Sequence, residues 1–279
     1  MNENWIHNCV TFMEYTLPVN GHPYRICESG SGIPFFWMHG MFHSLAIEDH
    51  FSVVDFDLLS RGLRLIRIEL PAHGSSHLPE SGDRLTWQSM AEDIAQLANT
   101  IAPDGYFAGG FSQGAGIAAH LAVLDTRLKG LVLAMLPKIW EERPVIVATY
   151  KKMLQALKGE RTDALLQRLF RQAHYPPISI EQHPERSESL VGLMLGSSVE
   201  ALHTILEGAI ASDFPNRLDT FKRELPVMLA GWENDPNHPI SSFNQLKRLP
   251  EVCFSLILQD KSDISDFSSR ILQIILSKM

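Results

Sequence analysis

The sequence predicts an α/β fold built on a doubly wound, mostly parallel sheet, with a helical cap inserted between two of its strands. Short apolar runs alternate along the chain with segments of helical period, which is the pattern of βαβ units. The chain has 279 residues, of which 45% are hydrophobic and 20% are charged, so it can bury a large core. The alternation stops between about 138 and 220, where helical patterns follow one another without a clear strand.

Strands and helices are predicted in chain order from their local patterns. Asn20 and Gly21 tolerate positive φ and lie between two apolar segments, which predicts an N-terminal hairpin with strands at 11–18 and 24–28. Thr86 precedes apolar residues spaced by three and four, which predicts a capped helix. Further strands are predicted at 33–38, 63–68, 106–110, 128–136, 226–230 and 252–258, and further helices at 113–124, 150–157, 163–170 and around Phe267.

The break in the alternation divides the chain into two predicted units. Residues 1–137 and 221–279 form the sheet core, and residues 138–220 form the helical cap. Loop signals inside the cap, at Tyr175–Pro177 and Gln182–Pro184, separate its helical patterns. We expect a pocket at the carboxyl edge of the sheet, beneath the cap.

Composition and charge argue against several classes of function. Lys and Arg number 24 and Asp and Glu 32, so the net charge is −8, and without a basic run no nucleic-acid partner is expected. The three cysteines form no Cys-x-x-Cys pair, which favours reduced thiols. The first residues lack the basic region of a signal peptide, and the longest apolar runs fall far short of the ~20 residues that span a bilayer. We therefore expect a cytoplasmic protein with no membrane span, and its oligomeric state stays open.

The most informative motif is Gly110–Gly114, which reads Gly-Phe-Ser-Gln-Gly and lies between a predicted strand and a predicted helix. In this context the motif is typical of a nucleophile elbow, in which a serine lies on a sharp turn that only small neighbours tolerate. Ser112 is therefore the candidate nucleophile, and the start of the following helix would stabilise negative charge beside it. The alternative is a glycine-rich crossover with a serine that has no function.

A second motif, His39–Phe42, follows the strand predicted at 33–38. In acyl transfer, a backbone N–H from such a loop pairs with the N–H of the residue after the nucleophile to hold the oxyanion, and losing one donor costs roughly 10²–10³ in rate. Met41 and Gln113 are the two candidate donors. On its own, the motif would indicate a tight turn at the end of a strand.

With these motifs, the chain resembles the α/β-hydrolase superfamily over nearly its whole length, in the branch with a helical cap. The resemblance rests on four segments that occur in the family's order, namely His39–Gly40, Leu70–Ser76, Gly110–Gly114 and Leu229–Pro236. The family's second motif usually reads Asp-x-Pro-Gly-His-Gly-x-Ser. In this sequence Glu69 and Ala72 replace its acid and its first glycine.

The resemblance implies roles for individual residues. Asp235 matches the family's acid after the strand that follows the cap, where it would orient a histidine. A structural alternative is that Asp235 caps the helix that starts near Pro239. His73 would hold its loop by hydrogen bonds, and the cap would determine substrate choice. The resemblance also implies a small-molecule acyl substrate.

One part of the family pattern is missing. The family's histidine follows the last strand, but none of the twelve histidines lies beyond His238, and Asp263 or a neighbour occupies the expected place. A serine hydroxyl is a poor nucleophile without a base. Three interpretations follow: another histidine is the base, a carboxylate such as Asp263 is the base, or hydrolysis has been lost. Among the histidines we favour His238, three residues after Asp235, and the other candidates are His43, His174, His183 and His203.

These observations predict a hydrolase of a carboxylic ester, thioester or related acyl bond, in which Ser112, Asp235 and His238 form an atypical triad. The alternative is a non-catalytic protein that binds a small ligand on the same scaffold. No metal is expected, since no helix carries a His-x-x-x-His cluster, and no cofactor is expected, because serine-based acyl transfer needs none. Gly114–Ala119 fits a dinucleotide fingerprint, but the acid that this fingerprint needs at the end of the next strand is missing.

Overall fold

A single eight-stranded sheet organises the part of the chain that the computed structural model describes, which is residues 12–50, 52–157, 198–216, 225–233, 235 and 237–278. The strand order is β1-β2-β4-β3-β5-β6-β7-β8. β2 pairs antiparallel with both β1 and β4, and every other pairing is parallel. The strands are β1 Met13–Val19, β2 His22–Gly30, β3 Ile33–Met38, β4 Leu63–Glu69, β5 Tyr106–Phe111, β6 Leu128–Ala134, β7 Val227–Trp232 and β8 Val252–Leu258.

Helices connect the parallel strands, as the alternating sequence pattern predicts. Two short 3-10 turns, Gly82–Leu85 and Trp140–Glu142, precede longer helices. The described helices are α1 Leu45–His50, α2 Phe56–Ser60, α3 Trp87–Ile101, α4 Gln113–Leu124, α5 Arg143–Ala156, α6 Val199–Ala211, α7 Ile240–Lys247 and α8 Lys261–Leu276. None of these helices, within the described residues, is long and apolar enough to cross a membrane.

The core lies on both faces of the central strands. Every residue of β5 and of β7 is buried, which is why these strands read as continuous apolar runs and not as alternating ones. The predicted strands at 33–38 and 252–258 and the predicted helix at 113–124 match the structure residue for residue. The strand predicted at 128–136 ends earlier, at Ala134, because Met135 takes a left-handed φ of 47° that a strand cannot continue.

Helices α5 and α6 belong to the segment between β6 and β7, where the sequence predicts a helical insertion. The buried Arg143 at the start of α5 joins them, because its guanidinium donates to the carbonyl oxygens of Ala209 and Ser212 at the end of α6. The same guanidinium lies over the ring of Trp87, 4.3 Å from its centroid, so the pair of helices is fastened to the core at α3. The helix predicted at 163–170 lies outside the described residues.

Candidate active site

Ser112 lies on a sharp turn between β5 and α4, at the centre of the sheet. Its φ of 54° and ψ of −109° are rare for a residue with a side chain, and such strain is concentrated at functional sites. The turn has no room for side chains on either side. A Cβ on Gly114 would overlap the carbonyl oxygen of Met38, and a Cβ on Gly110 would overlap the backbone of Gly114. The two glycines of the motif are therefore a steric requirement of the turn.

His238 links Ser112 to Asp235. Its Nε2 lies 2.8 Å from Ser112 Oγ, and its Nδ1 lies 2.7 Å from Asp235 Oδ2. Because a carboxylate can only accept, the ring proton belongs on Nδ1, which leaves the Nε2 lone pair facing the serine hydroxyl. Of the candidate bases that lie in the described part of the chain, His238 is the one that hydrogen-bonds Ser112.

The loop after β7 holds Asp235 firmly in place. Asp235 Oδ1 accepts the backbone N–H of Asn237 at 2.8 Å and that of His238 at 3.1 Å, so its carboxylate organises the loop that carries the histidine. Burial by itself would raise the pKa of Asp235, but the hydrogen bond and charge of His238 and the two backbone donors outweigh it and lower the pKa to about 2. The carboxylate is thus a fixed anion. Helix α7 begins after Pro239 and has no side-chain hydrogen bond at its N-terminus, so Asp235 does not cap this helix.

The sheet register brings the two candidate oxyanion donors to the same edge. β3 and β5 are parallel neighbours with Met38 opposite Gly110, so the loop that carries Met41 and the turn that carries Ser112 leave the sheet side by side. Gln113 is the first residue of α4, where backbone N–H groups have no acceptor within the helix. Met41 is half-buried.

The other candidate bases have different partners. The His43 ring is buried and stacks on Phe111, with 5.1 Å between centroids. His203 contacts Glu207 one turn along α6, with 3.5 Å between nitrogen and oxygen. Asp263 accepts the backbone N–H groups of Gln259 and Asp260 and so completes a capping box at the start of α8. His174 and His183 lie outside the described residues.

The loop after β4 is held in place by hydrogen bonds to its backbone. The Nδ1 of the buried His73 lies 2.8 Å from the carbonyl oxygen of Pro71, which agrees with the structural role expected for this histidine. Glu69, which stands where the family pattern has an aspartate, accepts the backbone N–H groups of Leu45 and Ser75. Ala72, which replaces a glycine of that pattern, takes a φ of 64°.

Sequence reasoning did not single out Phe111, the variable residue before the serine. Its ring packs against both His43 and His238, with 5.1 and 5.2 Å between centroids, and so supports the imidazole that faces Ser112. The only sequence signal is that an aromatic residue occupies this position of the motif. The described residues contain no cluster of His, Cys, Asp and Glu arranged to hold a metal ion.

Comparison with known proteins places this chain in a family. The model of the alpha/beta hydrolase family matches residues 35–258, most of the chain, so the chain belongs to that family. A curated relative, the AB hydrolase superfamily protein YisY of Bacillus subtilis (strain 168), is 24% identical over 231 residues, which are 79% of this chain and 81% of the relative.

Solved structures share the fold at lower identity. A bromoperoxidase from Bacillus anthracis aligns with a TM-score of 0.75 at 18% identity, over 94% of this chain and 99% of its own. An enol-lactonase from Burkholderia xenovorans LB400 aligns with a TM-score of 0.73 at 15% identity, over 94% of this chain and 98% of its own. An esterase from Thermogutta terrifontis aligns with a TM-score of 0.72 at 19% identity, over 96% and 97%. At these identities the likeness concerns the fold.

Proposed function

We propose that this protein hydrolyses a carboxylic ester, a thioester or a related acyl bond with Ser112 as its nucleophile. The observation that supports this is the continuous hydrogen-bonded chain from Asp235 through His238 to Ser112, with links of 2.7 and 2.8 Å. The base that the family normally places after the last strand is supplied here by His238, from the loop after β7. A protein that only binds its ligand would have no need of this alignment.

Acylation begins when Ser112 Oγ attacks the carbonyl carbon of the substrate. His238 Nε2 accepts the hydroxyl proton, and the Asp235 carboxylate stabilises the imidazolium that forms. The carbonyl oxygen becomes an oxyanion held by the backbone N–H groups of Met41 and Gln113, each worth roughly 10²–10³ in rate. The imidazolium then gives its proton to the departing alcohol or thiol, which leaves an acyl ester on Ser112.

Deacylation repeats the same steps with water as the nucleophile. His238 Nε2 removes a proton from water, the hydroxide attacks the acyl carbon, and the second oxyanion collapses to a carboxylic acid while Ser112 regains its proton. The scheme uses only side chains and backbone groups of this chain.

The similar proteins support the substrate class and the architecture. Two of the solved structures are an enol-lactonase and an esterase, and both names refer to cleavage of an acyl–oxygen bond. We assign residues 1–137 and 221–279 to the hydrolytic core and residues 138–220 to a cap, of which α5 and α6 are the described parts. A small acyl substrate would reach Ser112 between the two units. A cytoplasmic location agrees with the reduced thiols expected from the cysteine pattern.

A fluorophosphonate probe tests the proposal because it reacts only with an activated serine. We expect labelling of the unchanged protein, and no labelling of Ser112→Ala. His238→Ala should lose labelling, whereas the matched variant His43→Ala should keep most of it, since His43 stacks on the same Phe111 ring without bonding to the serine. Absent labelling, together with tight binding of a ligand that is recovered unchanged, would show a binding protein instead.

A panel of p-nitrophenyl esters of increasing acyl length then defines the substrate. A substrate of the proposed class should be cleaved by the unchanged protein and left intact by Ser112→Ala at the same concentration.

A further inference from the structure

β8 is the last strand of the sheet within the described residues, so no other described strand pairs with its outer edge. The strand reads Val-Cys-Phe-Ser-Leu-Ile-Leu and contains neither a charged residue nor a proline. Cys253 has no partner on β7, but residues 254–258 pair with β7 in regular register. The outer edge of this regular stretch therefore offers backbone N–H and C=O groups to a further strand.

The opposite edge of the sheet, β1, is protected against such pairing. β1 contains Glu14, whose carboxylate lies 2.7 Å from the guanidinium of Arg25, and Pro18, which has no N–H to donate. Charged residues and prolines are the usual means by which an edge strand avoids pairing with another chain. Because β8 has neither, β8 is the edge at which a further strand can be added.

A groove between β8 and α8 runs beside this open edge and has a volume of about 360 Å³. Phe254 and Leu256 of β8 line it and are only half-buried, whereas every residue of the neighbouring β7 is buried. The α8 side of the groove is formed by Asp266, Ser269, Arg270 and Gln273. A partner that pairs with the edge of β8 would also cover these apolar side chains.

Two opposite charges on α8 stand over the groove. Asp266 and Arg270 are exposed and lie one turn apart, but neither forms an ion pair with the other or with another described residue. The Arg270 guanidinium lies 5.4 Å from the centroid of the Phe254 ring, and the Phe254 and Phe267 rings stack with 6.2 Å between centroids. These contacts place the middle of β8 level with the 266–270 stretch of α8.

A two-fold axis through the middle of β8 satisfies both the open edge and the two charges. With the axis at Leu256, residues 254–258 run antiparallel to the same stretch of a second copy, and Leu256 lies opposite its own counterpart. Because the 266–270 stretch is level with Leu256, the same axis brings Asp266 of each copy towards Arg270 of the other. The charges on this surface are therefore complementary to a second copy of the same surface.

We propose that the protein forms a symmetric homodimer through β8. The two β8 strands pair antiparallel, so that the sheets of both copies become continuous, and two Asp266–Arg270 ion pairs flank the joined strands. Neither Ser112 nor His238 lies on β8 or α8, so the dimer does not depend on the proposed hydrolysis.

Analytical ultracentrifugation of the full chain over about 1–100 μM tests the dimer. We expect twice the mass of one chain in the upper part of this range. Asp266→Arg should weaken the dimer at least about tenfold, because positive charges of one copy then face positive charges of the other at two symmetric places. Arg270→Asp should weaken it similarly through negative charges.

An equimolar mixture of Asp266→Arg and Arg270→Asp tests the symmetry. One variant presents only positive charges at these two positions and the other only negative charges, so the mixture should recover the dimer that each variant loses on its own. Asp104→Arg makes the same change of charge on an exposed turn outside the groove and should leave the affinity of the dimer unchanged. All three positions are exposed, so the variants should fold, which circular dichroism checks.

Hydrogen exchange distinguishes pairing of the β8 strands from a contact between helices alone. Backbone amides of 254–258 that point to the open edge should exchange at least about tenfold more slowly in the dimer than in Asp266→Arg. The proposal is wrong if the protein stays a monomer over the whole concentration range, if the mixture gives no more dimer than the separate variants, or if β8 exchanges equally fast in both samples. A monomer would assign this edge to a different partner.

Discussion

Two groups of histidines lie in the loops that follow the parallel strands, and their hydrogen-bond partners differ. His39 and His73 follow β3 and β4, and His238 follows β7. His39 and His73 are fully buried, with 5.0 Å between their ring centroids, and both make their hydrogen bonds to backbone groups. His238 instead lies between a carboxylate and a hydroxyl. The residue type is the same, so the partners decide what each ring does.

Burial keeps the first pair neutral, and a backbone donor reinforces this for His39. The N–H of Leu70 donates to His39 Nε2 at 3.1 Å, and a proton on that nitrogen would break the bond. Burial lowers the pKa of His39 and of His73 to about 3. These two rings have a structural role, because their hydrogen bonds to backbone groups hold the loops around the site in place. His238 has the Asp235 carboxylate 2.7 Å from its Nδ1, and the proposed mechanism uses this carboxylate to stabilise the ring when it accepts a proton from Ser112.

The largest expected effect comes from removing the imidazole of the second site. His238→Ala should lower kcat for a p-nitrophenyl ester by roughly 10⁴–10⁶, because the serine loses its base. Urea unfolding should show that the variant is still folded. If His238→Ala keeps more than about a tenth of the activity, His238 is not the base, and the contrast drawn between the two groups of histidines is wrong.

The next effect concerns the turn that presents Ser112 to His238. Gly114→Ala should lower the free energy of unfolding by about 3 kcal/mol or more, because the added methyl group overlaps the Met38 carbonyl oxygen. Gly21→Ala is the matched control. Its Cβ meets nothing within 4 Å, so only the left-handed φ of 82° costs energy, about 1 kcal/mol. Equal losses in the two variants, measured by urea unfolding, would contradict the steric account of the elbow.

The neutral pair should make stability depend on pH. The unfolded chain protonates His39 and His73 near pH 6.5, whereas the folded chain does so only near pH 3. Their contribution is complete above pH 6.5 and is lost as the pH falls towards 3, by up to ~1.4 kcal/mol per pH unit for each ring. His73→Gln should halve this part of the slope between pH 6 and pH 4.5. An unchanged slope in urea titrations would show that the rings are not held neutral.

The smallest effect lies in the loop that carries His73. Ala72→Gly should raise the free energy of unfolding by roughly 0.5–1 kcal/mol, because glycine adopts the φ of 64° without strain, although the unfolded chain gains some freedom. Ala72→Val is the contrasting variant and should lose stability. If glycine destabilises the protein, the loop must rely on contacts of the Ala72 methyl group.

Much of the fold follows from local patterns. The helix at 113–124 and the strand at 33–38 were predictable because apolar spacing, turn residues and the two glycines of the elbow all act within a few residues. The end of β6 was not predictable, because no local pattern marks Met135 as left-handed. The N–H of Met135 donates to the carbonyl oxygen of Ala230 on β7, nearly a hundred positions away in the chain.

For the site, the sequence determined the nucleophile candidate, the acid candidate and a histidine three residues after that acid. Only the tertiary structure decided that the His238 ring turns to Ser112, 126 positions away, while His43 stacks on Phe111 and Asp263 caps a helix. The reason is that the distance between β5 and the loop after β7 is set by sheet pairing through β6, and no short-range pattern encodes it.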